Sequence, residues 1–399
     1  MKKLFVREIL CSGVFCIVYL FAAIDVYSQK IETVDGVRVV HNEKGGKWGK
    51  NPEVAIKLMR TIGDVDTEDE NLAFNSPSDI AVDAAGNIYI LDSGNQRIQK
   101  FSPEGKYLAT IGRKGQGPGE FASPASLDID SKGYLYILDS TQRKLQILTP
   151  EGKESKTILA IKHNLDKVRV LKSGLLVARG RVNWNPENKK AMSPPKLLKL
   201  LDLVMNVQKE FGDIYDYKEQ ITNEFGNFVQ FEVDMEDNSI LDFNYQNRIE
   251  KYSPDARLVW KADRLLNYGT EPIEKGRLEV TATSQKYIGP KMNRCSNGIA
   301  VDKKSRAWAV TLNRQIRKEE EIIHYMSGTQ DGVTKKTIGN TDLRTTDMYK
   351  LEIFSSDGVL LGEIALNHFV DSIRIIGDNL FLLDRDRGVK YCQYKIIDK

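Results

Sequence analysis

Histidine and cysteine are scarce in this chain, with four of each among 399 residues. So few imidazoles argue against a histidine-built metal centre, because catalytic zinc sites usually draw several ligands from histidine. Net charge is nearly missing as well: 58 basic side chains face 55 acidic ones. A balance that close supplies no long-range field for holding nucleic acid. Nor is there an apolar run of membrane-spanning length. The best candidate, Ile9 to Ile24, has 16 residues and stops at Asp25, whereas a bilayer core takes about 20.

That short run follows Lys2, Lys3 and Arg7, and Val26 and Ser28 set an aliphatic and a small residue where a signal peptidase reads. Residues 1–28 are therefore expected to be a cleaved secretion signal, which places the mature chain outside the cytoplasm, secreted or in the periplasm and cell envelope, with no stable membrane span left. The residues before Cys11 and Cys16 are not the small ones of a lipoprotein site. Cleavage leaves Cys295 and Cys392 in an oxidising compartment. The layout below sets them on different strands of neighbouring units, so two buried thiols are expected rather than a disulfide.

What the chain has in plenty is repetition. Pro77 and Pro124, Gly86 and Gly133, Asp92 and Asp139, and Gly105 and Gly152 are each 47 residues apart. Each unit holds short runs rich in Ile, Val, Tyr and Phe ("DIAVDA", "NIYILDS", "RIQKFS", "KYLATIG") separated by Ala-Gly-Asn, Gly-Asn-Gln and Pro-Glu-Gly turns, the pattern of strands joined by hairpins. Apolar residues on both faces suit a sheet packed between two others. The stretch "NRIEKYSPDARLVW" falls 151 residues after its counterpart, which is three periods of about 50. A degraded copy lies between, over Val168–Gly212. A fifth copy is interrupted between Asn313 and Asp347, and a sixth supplies only three strands before the chain ends. The missing strand is found at Leu58–Gly63, "LMRTIG", with no inner strands before it. The expected fold is all-β: a six-bladed β-propeller over residues 54–399 with four-stranded antiparallel blades, the last closed by an N-terminal strand that removes an exposed edge. Residues 29–53 form an N-terminal extension whose role the pattern leaves open.

"SPSDIAVDAAGNIYILDSGNQRIQKF" and the connector "GRKGQGPGEF" resemble the NHL-repeat propellers, in particular secreted bacterial six-bladed families with a GPGE connector. The resemblance implies the same architecture. Proteins of that kind include protein-binding and RNA-binding modules as well as lyases and lactonases, so it leaves function open.

Propeller topology sends the inner-to-second and third-to-outer turns to one side, and all of these are tight. The long connections (63–77, 112–121, 180–195, 212–226, 263–294 and 313–347) all go to the other, around the mouth of the central channel. Long loops on a rigid scaffold carry function more often than short ones, so this face is the expected working surface. Arg181, Trp184 and Asn185 offer an aromatic plane beside hydrogen-bonding groups, suited to a sugar or a peptide, unless Trp184 folds back over the blade edge. Tyr215, Tyr217 and Tyr268 extend that aromatic character. Arg113 and Lys114 with Arg314, Arg317 and His324 suggest a basic rim, although "RQIRKEEEIIHYM" also reads as an amphipathic helix of solvated charge. The glycines of "GRKGQGPGEF" lack the Lys-Ser or Lys-Thr of a phosphate loop and are read as a tight turn between blades. Asp92, Asp139, Asp242 and Asp384, each followed by a basic residue (Arg97, Arg143, Arg248, Arg387), repeat too often for an active site and are read as a hairpin device. "SPDARLVW" is similar to a sialidase Asp-box, but no tyrosine nucleophile with an arginine triad goes with it. The resulting expectation is a monomeric binding module for a peptide, protein or glycan, with no cofactor and no nucleic acid. The alternative is a lyase or lactonase using a divalent metal at the channel mouth, for which the inner-strand ends offer Asp79, Ser126 and Asn297 but no histidine.

Overall fold

The runs of β-branched and aromatic residues become strands, and six blades of four antiparallel strands result, the sheet of the fourth being extended to six strands. Blade 1 comprises Pro77–Val82, Ile88–Asp92, Arg97–Phe101 and Tyr107–Ile111; blade 2 comprises Pro124–Ile129, Leu135–Asp139, Lys144–Leu148 and Glu154–Ile158. Blade 3 takes Leu165–Val170, Leu176–Gly180, Lys196–Leu201 and Val207–Asp213; blade 4 takes Val229–Val233, Ser239–Phe243, Ile249–Tyr252 and Leu258–Arg264. Blade 5 is Ser296–Val301, Ala307–Leu312, Tyr349–Phe354 and Leu360–Ala365. The chain's last three strands, Ser372–Ile376, Asn379–Asp384 and Lys390–Asp398, belong to blade 6, and Val54–Ile62 completes it. This is a computed structural model, and it describes residues 29–182, 184–185, 194–280, 285–329 and 332–399. The region read as a secretion signal, 1–28, lies outside the described residues.

Closure of the ring follows the expected route. Val54 pairs opposite Asp398 and Ile62 opposite Tyr391, antiparallel, so the carboxy-terminal sheet has its outer strand and no unpaired edge there. The core is divided. Six separate clusters of buried apolar side chains each lie between two neighbouring blades, which is why second strands such as Ile88–Asp92 and Leu135–Asp139 are buried at every position. Trp260 fills the wedge between blades 4 and 5 and Trp308 that between blades 5 and 6. Around the channel, the loosest contact between neighbouring inner strands is that of blades 3 and 4.

The extension has a structural role that its sequence did not announce. A hairpin, Lys30–Val34 with Val37–Asn42, adds to the outside of blade 4, its second strand running parallel to Leu258–Arg264. Asn42 then bridges two blades: its Nδ2 donates to the carbonyls of Asp263 at 2.9 Å and Gly358 at 3.0 Å, and its Oδ1 accepts from the amide of Leu360 at 2.7 Å. The amides of Lys47 and Trp48 donate to Leu360 and Leu361 of blade 5. A single segment thus straps blades 4 and 5 before entering blade 6.

The glycines of the 112–121 connector also find a packing reason. Gly112 has φ +79°, and a Cβ there would sit 2.1 Å from the Phe121 ring, in a backbone region that side chains avoid. Glu120 Oε2 accepts the amides of Gln116 and Gly117 at 3.1 and 2.9 Å. These donors are engaged within the loop itself, as expected of a turn rather than a phosphate cradle. Cys295 and Cys392 are buried free thiols.

Candidate functional site

Because each blade is an antiparallel meander, its connections alternate between the two ends of the channel, and the long ones share one end. Several carry structure of their own. The 212–226 connection contains the helix Gln220–Gly226, whose first amides are capped by Glu219. The 263–294 and 313–347 connections carry the hairpins Arg277–Val280 with Gln285–Ile288 and Ile322–Thr329 with Gly332–Gly339. The amphipathic helix expected in "RQIRKEEEIIHYM" is corrected here: only the turn Lys318–Glu320 is helical, and Ile322 starts a strand that carries His324. Glu320 is pulled into an ion cluster by Arg314, and the β-branched pair Ile322–Ile323 continues into the hairpin ladder, which satisfies its backbone better than a lone helical turn would.

Two contiguous cavities open on this face. One, of about 370 Å³, is a cleft between blades 3 and 4, with Phe225, Phe228, Arg179, Arg181, Asn244 and Arg294 among its walls. The other, also of about 370 Å³, occupies the channel mouth, where Asp79, Lys167, Arg169, Asp371, Arg374 and Arg294 converge from different blades. Asp166, Arg179, Phe228, Asn244 and Arg294 line both. The cleft sits where the inner strands of the ring touch least.

Buried ion pairs hold the channel wall together. Arg169 of blade 3 meets Asp79 of blade 1 through both oxygens, Nη1 at 2.9 Å and Nη2 at 3.1 Å, and its Nε meets Glu232 of blade 4 at 3.2 Å. Arg374 of blade 6 pairs with Glu232 at 3.0 Å and with Asp128 of blade 2 at 3.1 Å. Five blades are tied by these contacts, and such bidentate, desolvated pairs are geometrically specific. Burial alone would raise the Asp79 pKa, but Arg169 and Arg374 outweigh it and bring the value down to about 2. Asp128 goes the other way, raised by burial. Lys167, two residues before Arg169 on the same strand face, forms no ion pair among the described residues; its Nζ lies 5.2 Å from the centre of the Phe231 ring. Burial, then the charge of Arg169, lower its pKa to about 7.

The residues singled out from sequence scatter between cavity and scaffold. Arg181 lines the cleft and is exposed. Trp184 packs against the apolar cluster of blades 3 and 4, its indole N–H buried, which is the folded-back arrangement; Asn185 beside it is half-buried. Tyr217 is buried and edge-on to the exposed Tyr215, ring centres 4.7 Å apart. Tyr268 packs on the core of blades 5 and 6 and donates to the Leu312 carbonyl at 2.7 Å. Arg113 pairs with Glu120 of its own connector at 2.9 Å. Arg314 is held by Glu320 and Asp347, with Arg317 near Asp347 as well. The basic rim is thus mostly internally neutralised, and of the residues placed in this paragraph Arg181 alone lines the cleft.

The repeated aspartates are scaffold, but only partly by the expected pairing. Asp92 does meet Arg97 at 2.8 Å, whereas Asp139 accepts the amides of Ala122 and Ser123, and Asp242 is bound by Arg264 at 3.1 Å. What blades 1 and 2 share is a carboxylate tying down the preceding connection, since Asp92 likewise accepts the Asn75 amide. The inner-strand ends offered for a metal are engaged as well: Ser126 donates to Asp79 at 3.1 Å, and Asn297 Nδ2 donates to Tyr349 Oη and the Val370 carbonyl. Among the described residues no three His, Cys, Asp or Glu side chains cluster so that they could hold a metal ion. Lys167, Arg169, Glu232, Arg294 and Arg374 were missed. For all but Arg294, which precedes its strand, the signal was present, since Lys, Arg and Glu on strands that should be buried on both faces are out of place.

Residues 64–260 match the profile of the DUF5128 family, described as a 6-bladed beta-propeller. Among solved structures, a member of the duf4221 family from Bacteroides vulgatus is similar at 12% identity and TM-score 0.56, covering 88% of this chain and 100% of its own. A Bacteroides fragilis protein that bears the name exported protein is similar at 10% identity and TM-score 0.50, over 90% of this chain and 99% of its own. A streptogramin B lyase is similar at 10% identity and TM-score 0.45, over 86% and 98%. At these identities the likeness concerns the fold. No curated protein matches the chain. No helix among the described residues is long and apolar enough to cross a membrane.

Proposed function

We propose that this chain is an exported recognition module, and that its binding surface is the elaborated face where the cleft between blades 3 and 4 meets the channel mouth. A peptide, protein or glycan is its partner class. One observation carries the reading: a roomy cavity with exposed Phe225 and Phe228 lies on the only end of the channel that received long connections, and apolar walls with a few convergent polar groups are what ligand sites are made of. The metal-dependent lyase or lactonase reading lacks a donor cluster among the described residues, so recognition is preferred over catalysis.

Peptide and glycan arrays probed with the mature protein and with Phe228→Ala test it. Phe228 is 38% exposed and stacks under Arg179 at 4.4 Å, so the variant should fold and lose array binding by about tenfold, the loss of a buried aromatic contact. Retention of binding in the variant, or an empty array with the wild type, rejects the site.

A further inference from the structure

Resting on the recognition reading above, we propose that cleft and channel mouth together take the carboxy-terminal residue of a peptide, its apolar side chain in the cleft and its carboxylate facing Arg294 and Lys167. Three independent features lead there. The first is the apolar wall, Phe225 and Phe228 with Val182 and Leu197, which suits an aliphatic or aromatic side chain.

The second feature is an unused acceptor. Asn244 is 3% exposed. Its Nδ2 donates to the Ser296 carbonyl at 3.0 Å and its amide to the Phe228 carbonyl at 3.0 Å, which fixes the side chain. Its Oδ1 is left without a donor among the described residues, on a residue that lines both cavities. A buried acceptor with no partner costs about 1–3 kcal/mol, and an incoming amide N–H relieves that cost.

The third feature is unspent positive charge. Arg179 is committed to Asp166 at 2.7 Å and to the Val229 carbonyl, and Arg169 to Asp79 and Glu232. Arg294 differs: its backbone is clamped in both directions by Gln315, at 3.0 and 2.8 Å, while its guanidinium has no hydrogen-bond or ion-pair partner among the described residues. It too lines both cavities. Lys167 adds a second cation deeper in the mouth. An amide N–H, an apolar side chain and a carboxylate on one carbon are the three substituents of a chain-terminal residue. A uronic acid brings the carboxylate but neither the apolar branch nor the amide donor, so the glycan is the less favoured occupant.

Fluorescence polarisation with labelled pentapeptides ending in Leu or Phe, each as free acid and as carboxamide, with oligogalacturonate as competitor, decides the matter. The free acids should bind about tenfold or more tighter than the amides, the size of one charge-assisted contact. Arg294→Ala should weaken the free acids far more than the amides and so remove most of that gap; being exposed, it should not disturb folding, and Lys167→Met provides the second variant. Equal binding of acid and amide, a gap that survives Arg294→Ala, no peptide binding, or better competition by oligogalacturonate would each overturn the proposal. Array binding that Phe228→Ala abolishes, with no acid-over-amide preference, would leave the recognition surface standing and remove only the carboxy-terminal assignment.

Discussion

Lys167 and Arg169 stand two residues apart on one strand and turn toward the same channel, yet their surroundings differ completely. Arg169 is 2% exposed and reaches carboxylates from two other blades. Lys167 sits nearer the mouth with an aromatic ring for a neighbour and no carboxylate at ion-pair distance among the described residues. The contrast separates scaffold from site within a single wall. A cation whose donors are all taken holds blades together, whereas one with unused donors is open to a ligand.

Removing the first should cost most. Arg169→Met strips Asp79 of its bidentate partner and leaves Glu232 paired with Arg374 alone, and loss of one member of a buried ionic network typically costs about 3–5 kcal/mol. Denaturant unfolding should show that loss, and a change under 1 kcal/mol, on the same order-of-magnitude scale, would mean the network is not holding the ring. The acid limb of the stability curve comes next. Asp79 titrates at about 2 in the folded chain against a usual 3.8. A carboxyl lowered on folding contributes its stability above its unfolded pKa and loses it as pH falls through the folded one, so about 2 kcal/mol should disappear between pH 4 and pH 2. In Arg169→Met that limb should flatten; an unchanged limb would assign the acid sensitivity to other carboxylates.

Smaller effects test Lys167. Lys167→Met should change stability by no more than about 1 kcal/mol, and in the stabilising direction, because it deletes an ammonium that burial disfavours. A loss as large as that of Arg169→Met would erase the distinction between the two cations. The free-acid peptides should bind more tightly as pH falls from 8 to 6, by roughly up to tenfold, because Lys167 gains its proton in that window. Facing it are Arg169 and Arg179 from its own blade, Glu232 from blade 4 and Asp79 from blade 1. The same titration in Lys167→Met should be flat, and a slope that persists would transfer the pH dependence to another group.

Much of the fold was legible because propeller blades write themselves locally. Turn glycines, alternating β-formers and a fixed period state the hairpins, and the lone strand before blade 1 together with the three-stranded last copy states the closure. The elaborated face followed from the same arithmetic. The site was legible only to the level of that face. Trp184 and Arg314 were candidates because they lie in long loops, but a long loop that packs on its own blade has an interior, and both are held by it. The extension was illegible for another reason. Its strand pairs in parallel with residues more than 200 positions away, and no local pattern marks such a partner.

Sequence by itself determined the number of blades, their four-strand composition, the sealing of the last by the first strand, and the gathering of long connections at one end, since each rests on local periodicity and chain order. Tertiary structure alone decided which charges meet. Arg169, Asp79, Glu232, Arg374 and Asp128 come from five blades, and whether a given cation is neutralised depends on distances across the channel that no spacing along the chain encodes.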